Sequence, residues 1–329
     1  MKRIVIDIYG ADNRAYPILE GTAKMLSEHA EIGAVLVGSE NLIRANLPAE
    51  LLESRVKIID TSDFIADTEP ASAIFSGRNE SSMALALKEL KENDECIGML
   101  SAGMTGALMV GSIFRLGLVG GLKCPALSSS LPTVTGDMVC LVDCGANVNC
   151  NAKDLARFAL MGNAYAQIIY RKESPRVALL SVGREDTKGN NLTLEAFGLL
   201  RELPLNFIGN AEGNDLITGY ADVMVADGFS GNIILKSNEA SGKVAIKILE
   251  KVLSNCPEGE RAACENALAQ LNHLFELNSR GGATFLGTKK PVIKMHGCAV
   301  ANTVCACTNQ LLMLDSADFT QRLETALAK

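Results

Sequence analysis

Short apolar runs of β character alternate with helical patterns along almost the whole chain, and most of those runs end on a glycine-rich corner. "RIVIDIY" leads into a helical pattern from about Ala15 to Glu28, and "GAVLVG" and "RVKIID" follow with a polar helix between them. The 80–93 segment "ESSMALALKELKEN" has the 3–4 spacing of a helix. "CIGML", "PALSSSLP", "MVCLVDC", "RVALLSV", "LNFIGN" and "ADVMVADG" continue the strand series, separated by further helical stretches. Such alternation means βαβ units, so the chain is expected to fold as α/β, with a mostly parallel, doubly wound sheet. The uncharged run 96–114, "CIGMLSAGMTGALMVGSIF", reads as a buried strand, a glycine loop and a buried helix. A membrane span needs about 20 strongly apolar residues.

The pattern changes after the helix that starts near Gly231. "VLSNCPEGERA" is a Pro/Gly break, and a second helical pattern runs from about Glu260 to Leu277 with one apolar stripe through Cys264, Ala267, Leu268, Leu271, Leu274 and Phe275. The expected organisation is a sheet domain over 1–235 and 280–329, with a helical hairpin inserted over 236–279. A length of 329 residues suits two domains or one large domain with an insertion.

Composition removes several function classes. The net charge of −7 counts against non-specific nucleic-acid binding, which depends on Lys and Arg. Ten cysteines without a C-x-x-C pair, together with three histidines, give no zinc pattern, so neither a metal nor a cofactor is expected. At the start, "MKRIVIDIYG", Asp7 arrives before an apolar segment can form, so no secretory signal is expected. Thiols within apolar runs then suit the reducing cytoplasm.

The corners carry the functional signal. "SAGMTGA" (101–107), "DCGANVN" (143–149), "GREDTKGN" (183–190), "DGFSGN" (227–232) and "HGCA" (296–299) each follow a strand. In an open parallel sheet such loops share the carboxyl edge, where ligands bind. A single corner is more often just a tight turn; several at equivalent ends point to a binding edge. Glycines such as Gly10, Gly103, Gly106, Gly145, Gly228 and Gly231 let backbone approach a ligand, and helix N-termini favour an anion such as phosphate. The polar candidates are Asp7, Asp12, Asn13, Ser101 and Thr105 in the first half. Asp143, Asn147, Lys188, Asn190, Asn232 and His296 follow. Lys188 is the one lysine at these corners, and Arg184, Glu185 and Asp186 share its loop. It reads either as part of a solvated charged loop or as a cation that holds phosphate or an oxyanion. "GMLSAGMT" has the spacing of a P-loop but carries Met104 where Lys is required, and no G-x-G-x-x-G opens a helix. His29 and His273 fall in helical patterns, so a Ser/His/Asp triad is not indicated.

Taken together, "DIYGADN" (7–13), "SAGMTGA", "LPT" (131–133), "DCGANVN", "GREDTKGN", "NAEGNDL" (210–216), "DGFSGN", "RGGATFLG" (280–287) and "PVIKMHG" (291–297) resemble, in order and spacing, the bacterial phosphate acyltransferases of phospholipid synthesis, the PlsX family. The resemblance spans nearly the whole chain. It implies a fold similar to isocitrate and isopropylmalate dehydrogenases, a homodimer, and a cytoplasmic enzyme with peripheral contact at the membrane surface. It also implies the conversion of acyl-[acyl-carrier-protein] and inorganic phosphate into acyl phosphate, for use by a membrane glycerol-3-phosphate acyltransferase. The family's "KGN" lysine and "DGFxGN" asparagine match Lys188 and Asn232. The chain departs from the usual "MGGDN" at Tyr9 and Ala11, from "SAGNTGA" at Met104, and from "HGSS" at Cys298 and Ala299.

The chemistry implied is direct attack of phosphate on a thioester, with no protein nucleophile. Lys188 and the N–H groups near Gly228–Asn232 would hold phosphate or oxyanion, and His296 could protonate the leaving thiolate. A CoA-dependent phosphotransacylase of the phosphate butyryltransferase kind, a metal-dependent NAD dehydrogenase and a non-catalytic carrier-binding scaffold are the alternatives. Lys236, Lys243, Lys247 and Lys251 fall within an arc of roughly 80° on one helix, a basic stripe suited to docking an acidic carrier protein.

Overall fold

The fold is that of a computed structural model, which describes residues 1–11, 15–275 and 280–328 apart from the His273 side chain. Asp12 and Asn13 therefore lie outside the described residues, as does the 276–279 end of the expected hairpin. In chain order the elements begin with β1 (Arg3–Asp7), α1 (Tyr16–Glu28), β2 (Gly33–Gly38), α2 (Glu40–Asn46), α3 (Ala49–Ser54), β3 (Val56–Asp60), α4 (Ser82–Glu92), β4 (Cys96–Ser101) and α5 (Thr105–Gly111). The middle of the chain forms β5 (Ala126–Pro132), β6 (Met138–Val142), α6 (Ala152–Ile169), β7 (Arg176–Leu180), α7 (Asn191–Glu202), β8 (Asn206–Ala211) and β9 (Val223–Val225). Next come α8 (Gly228–Ser254), α9 (Glu258–Phe275), β10 (Ala283–Leu286), β11 (Val292–Lys294), α10 (Ala301–Ser316) and α11 (Phe319–Leu327). The strand–helix alternation read from the sequence is the one observed.

The chain divides into two compact units. The first comprises Met1–Ser130, Leu160–Ser174 and Asn278–Lys329. Its strands run in the order β3-β2-β1-β4-β11-β10-β5. β1, β2, β3, β4 and β11 pair parallel to one another; β10 is antiparallel to both β11 and β5. Every residue of β2, "GAVLVG", is buried, which explains its unbroken apolar sequence, as expected of a parallel strand covered on both faces. The core is aliphatic: Ile4, Ile6, Ile18, Leu36, Ile293 and Val304 belong to one cluster.

The second unit comprises Leu131–Ala159 and Pro175–Leu277. Its strands run β6-β9-β7-β8, all parallel. Asp222 is buried and ties the start of β7 to the turn before β9, accepting from the Arg176 backbone N–H (2.8 Å) and from its guanidinium (3.1 and 3.0 Å). α8 runs unbroken for 27 residues, so the expected boundary at 235/236 falls inside a continuous helix. α9 packs back on α8 at Gly242, where a Cβ would overlap the ring of Phe275. Both helices belong to the second unit, together with β6–β9.

Candidate functional site

In the first unit the carboxyl ends of β1, β4 and β11 stand in register, so Asp7, Ser101 and Lys294 form one row across three strands. Ser101 Oγ donates to Asp7 Oδ2 at 2.8 Å and accepts from the Gly103 N–H at 3.0 Å. The Tyr9 N–H donates to Asp7 Oδ1 at 3.2 Å. Lys294 Nζ donates to the carbonyls of Ala102 (2.9 Å) and Met295 (2.6 Å), pinning the same corner. A Cβ on Gly10 would overlap the Gly103 backbone, so the loop after β1 lies directly on the loop after β4. Glycine is required there twice over, since Gly10 also has a φ of 90°. Burial pushes the Asp7 carboxyl above its ordinary range, opposed by hydrogen bonds from Ser82, Ser101 and Tyr9 and by the Lys294 charge.

Thr105 and Gly106 open α5, and Met104 is its N-cap with no side-chain cap bond. His296 follows β11, is half-buried, and accepts the Ala299 N–H on its carbonyl at 3.0 Å. The Cys298 thiol beside it is exposed. Lys294 was not among the residues expected from the sequence. It reads there as one more residue of a strand, and only the register with Ser101 reveals its place.

In the second unit two groups of expected residues come together. In the first, Asp143 is fully buried, and its carboxylate accepts the N–H groups of Ala146 (3.1 Å) and Asn147 (2.6 Å) and the Asn147 side-chain amide (2.8 Å). The Asn147 carbonyl accepts the Gly228 N–H at 2.8 Å. Cβ atoms on Gly228 and Gly231 would overlap Asn147 and Asp143 backbone. The Asn232 carboxamide lies over Gly145, its Oδ1 3.4 Å from where a Cβ would stand.

This corrects the sequence-based reason for the bare "DGFSGN" backbone. The N–H groups of Gly228, Ser230 and Gly231 donate within the fold, to Asn147 O, Asp227 Oδ1 and Asp227 O. The glycines are there because a loop packs on them. An anion at this corner would therefore be met by side chains and not by those amides.

The second group surrounds a cavity of about 310 Å³ between the β7–α7 and β9–α8 corners. Ser181, Gly189, Asn190 and Thr193 line one side; Asp227, Ser230 and Ile234 line the other. Asn190 caps α7, accepting the Thr193 N–H at 2.9 Å, and Asp227 caps α8, accepting from Ser230 N–H (2.9 Å) and Oγ (2.8 Å). Both helices thus turn their N-termini toward this cavity, the end that favours anions.

The two cations of the adjoining loop have opposite fates. Arg184 pairs with the buried Asp215 through Nε (3.0 Å) and Nη2, and stacks over the Tyr220 ring at 4.6 Å. That pairing holds the Asp215 carboxyl below its ordinary range. Lys188 is exposed, and among the described residues its Nζ makes no hydrogen bond or ion pair; only its backbone is engaged, with Glu185 O (3.0 Å) and Ser181 Oγ (3.1 Å). Asn232 is separated from Ser230 by about 200° of helical rotation, so it faces the Gly145 loop and not the cavity.

Lys236 pairs with Glu239 at 2.9 Å, while Lys243, Lys247 and Lys251 are exposed on α8. Val244, Ile248 and Val252 are exposed on the same helix. Among the described residues no helix is long and apolar enough to cross a membrane, and no group of three His, Cys, Asp or Glu could hold a metal.

The fold is that of the phosphotransacylases. The phosphotransacetylase from Streptococcus pyogenes superposes with a TM-score of 0.64 at 15% identity, covering 96% of this chain and 94% of that one. A branched-chain phosphotransacylase from Enterococcus faecalis V583 superposes with a TM-score of 0.61 at 15% identity, covering 96% and 99%. At that identity the likeness is one of fold. Residues 2–322 match the family described as "Fatty acid synthesis protein". Bacillus pumilus phosphate acyltransferase is 39% identical over 306 residues, 92% of this chain and 90% of its own; that of Thermoanaerobacter pseudethanolicus is 38% identical over 304 residues, again 92% and 90%. The chain belongs to this family, the PlsX phosphate acyltransferases, as its motifs indicate.

Proposed function

We propose that this protein transfers an acyl group from a thioester to inorganic phosphate, giving an acyl phosphate for phospholipid synthesis, with acyl-[acyl-carrier-protein] as the donor. The observation that carries the reading is Lys188: a cation without a partner among the described residues, next in sequence to Gly189 and Asn190, which line a cavity flanked by two helix N-termini. Arg184, four residues away, is fully committed to Asp215 and Tyr220. A phosphate oxygen adds to the thioester carbonyl carbon, and the π electrons move onto oxygen. When that oxyanion collapses the C–S bond breaks and thiolate departs. Every atom transferred comes from the substrates, so no protein nucleophile is needed. Lys188 neutralises the phosphate or the developing oxyanion. One such interaction is worth roughly 10²–10³ in kcat.

The partners belong to the same proposal. The acidic carrier docks on the basic face of α8, where Lys236 is tethered to Glu239 and Lys243, Lys247 and Lys251 are unpaired among the described residues. A second copy of the chain covers the apolar row Val244–Ile248–Val252, forming a homodimer. The enzyme works in the cytoplasm with peripheral contact at the membrane, where a glycerol-3-phosphate acyltransferase consumes the product. Purified protein incubated with phosphate and either acyl carrier thioester or acyl-CoA tests the reading. Acyl phosphate from the carrier thioester supports it; acyl phosphate only from acyl-CoA replaces the donor; none from either contradicts it.

A further inference from the structure

The Pro/Gly break between α8 and α9 brings two cysteines together. Cys256 lies just past the end of α8, and Cys264 lies in the second turn of α9. Their sulfurs are 3.4 Å apart. Both residues belong to the second unit, both are free thiols, and both are half-buried, so solvent reaches them. Cys96, Cys140, Cys144, Cys305 and Cys307, by contrast, are buried.

Local structure holds each of the two in place. The N–H groups of Asn255 and Cys256 donate to Val252 O (3.1 Å) and Leu253 O (3.2 Å), so the chain leaves α8 through a tight turn. Pro257 follows, its φ fixed by the ring, and its carbonyl accepts the Glu260 N–H at 3.0 Å as α9 begins. Toward the other end of the hairpin the close packing of Phe275 on Gly242 keeps the two helices together. The segment between the thiols, Glu258–Arg261, is exposed. A disulfide has an S–S separation of about 2.0 Å, so the two sulfurs, 3.4 Å apart, need to close by only about 1.4 Å.

We propose that Cys256 and Cys264 are a reversible redox site, at which a small-molecule disulfide oxidises the pair to an intrachain bond that fastens the turn of the hairpin. One protein thiolate attacks the small disulfide, releases half of it as a thiol and keeps the other half attached. The second protein thiolate displaces that attached half. The protein thus gives up two electrons and two protons, and the oxidant leaves as two thiols. A reducing thiol pool runs the same exchange backwards, so in a reducing compartment the pair stays open until that pool is oxidised. Contact with the Cys264 thiol, and then partial burial, push the Cys256 thiol above its ordinary range; the Glu260 charge adds to this and Arg261 opposes it. Bond formation is therefore slow near neutral pH and quickens as thiolate forms. The site needs nothing from the acyl-transfer chemistry.

Full-length protein treated with oxidised glutathione at about pH 8.5, near the ordinary thiol pKa, tests the site. Remaining thiols are alkylated, and the chain is then digested with trypsin without reduction. Cleavage after Lys251, Arg261 and Arg280 leaves Cys256 as the one cysteine of peptide 252–261 and Cys264 as the one cysteine of peptide 262–280. Wild type should yield these two peptides joined, with the loss of two hydrogens, and dithiothreitol should separate them. Cys264→Ser should instead leave Cys256 carrying glutathione. Amide exchange in the first two turns of α9 should slow by about tenfold or more on oxidation, because a cross-link removes open states. Recovery of the two peptides unjoined from wild type, with the exposed Cys298 oxidised in the same sample, would overturn the site. Unchanged exchange in the bonded form would overturn the fastening of the turn.

Discussion

The first turn of α8 rests on the 143–147 loop with no room for a side chain: a Cβ on Gly231 would overlap the carbonyl oxygen of Asp143. Because the obstacle is backbone, one of the two segments must move. Gly231→Ala should destabilise the protein by about 1–3 kcal/mol, the usual cost of overpacking. Gly198 is the control. It lies exposed in α7, with open space where its Cβ would point. Gly198→Ala should stabilise by about 1 kcal/mol, from helix propensity alone. Thermal melts of the two variants should shift in opposite directions, and a Gly231→Ala melt equal to wild type would contradict the packing.

Met104 occupies the N-cap of α5 in a non-helical conformation (φ −51°, ψ 121°) but offers the helix no acceptor. Asparagine, the usual family residue, would supply one. Met104→Asn should raise stability by about 1 kcal/mol, the typical worth of a cap. A lower melting temperature would show that the Met side chain serves the corner in some other way.

Asp7 gives a pH signature. Its folded pKa lies above the ordinary 3.8, chiefly because of burial. Over the window from 3.8 up to that raised value the folded chain holds a proton that the unfolded chain has lost. Stability then falls as pH rises through the window and levels off above it. Asp7→Asn cannot ionise, so its melting temperature should gain on wild type as pH climbs from about 3.8. A difference that is constant with pH would show that the carboxyl ionises alike in both states.

The strand–corner–helix rhythm was legible because each period is local: "GAVLVG" can only be a buried parallel strand, and capping residues such as Asn190 and Asp227 sit where helices begin. What was not legible depends on partners distant in sequence. Gly228 and Gly231 are glycine because of a loop more than 80 residues earlier, which no local pattern announces. Asp143 and Asn147 look like ligand-binding residues in "DCGANVN", yet their side chains fold back on their own turn. Lys294 was hidden inside a strand, and its role appears only when β11 is laid beside β4. The contrast between Arg184 and Lys188 likewise needed Asp215 and Tyr220 in place.

The basic face of α8 makes a kinetic prediction. Rim charges act mainly on association and its salt dependence. Reversing Lys243 and Lys247 to Glu should raise KM for acyl carrier, flatten its salt dependence and leave KM for phosphate nearly unchanged. Equal carrier affinity in variant and wild type at low ionic strength would eliminate this docking face.

Turnover of Lys188→Ala, measured as acyl phosphate formed from acyl carrier thioester and phosphate, tests the central claim most directly. The Lys188 side chain is without a partner among the described residues, so the variant should melt with wild type, whereas Arg184→Ala, which strands the buried Asp215 carboxylate, should melt lower. If Lys188 holds the phosphate or the oxyanion, its loss should cut kcat by roughly 10²–10³. A folded Lys188→Ala enzyme that keeps more than about a tenth of wild-type turnover, far above that expectation, would contradict the account.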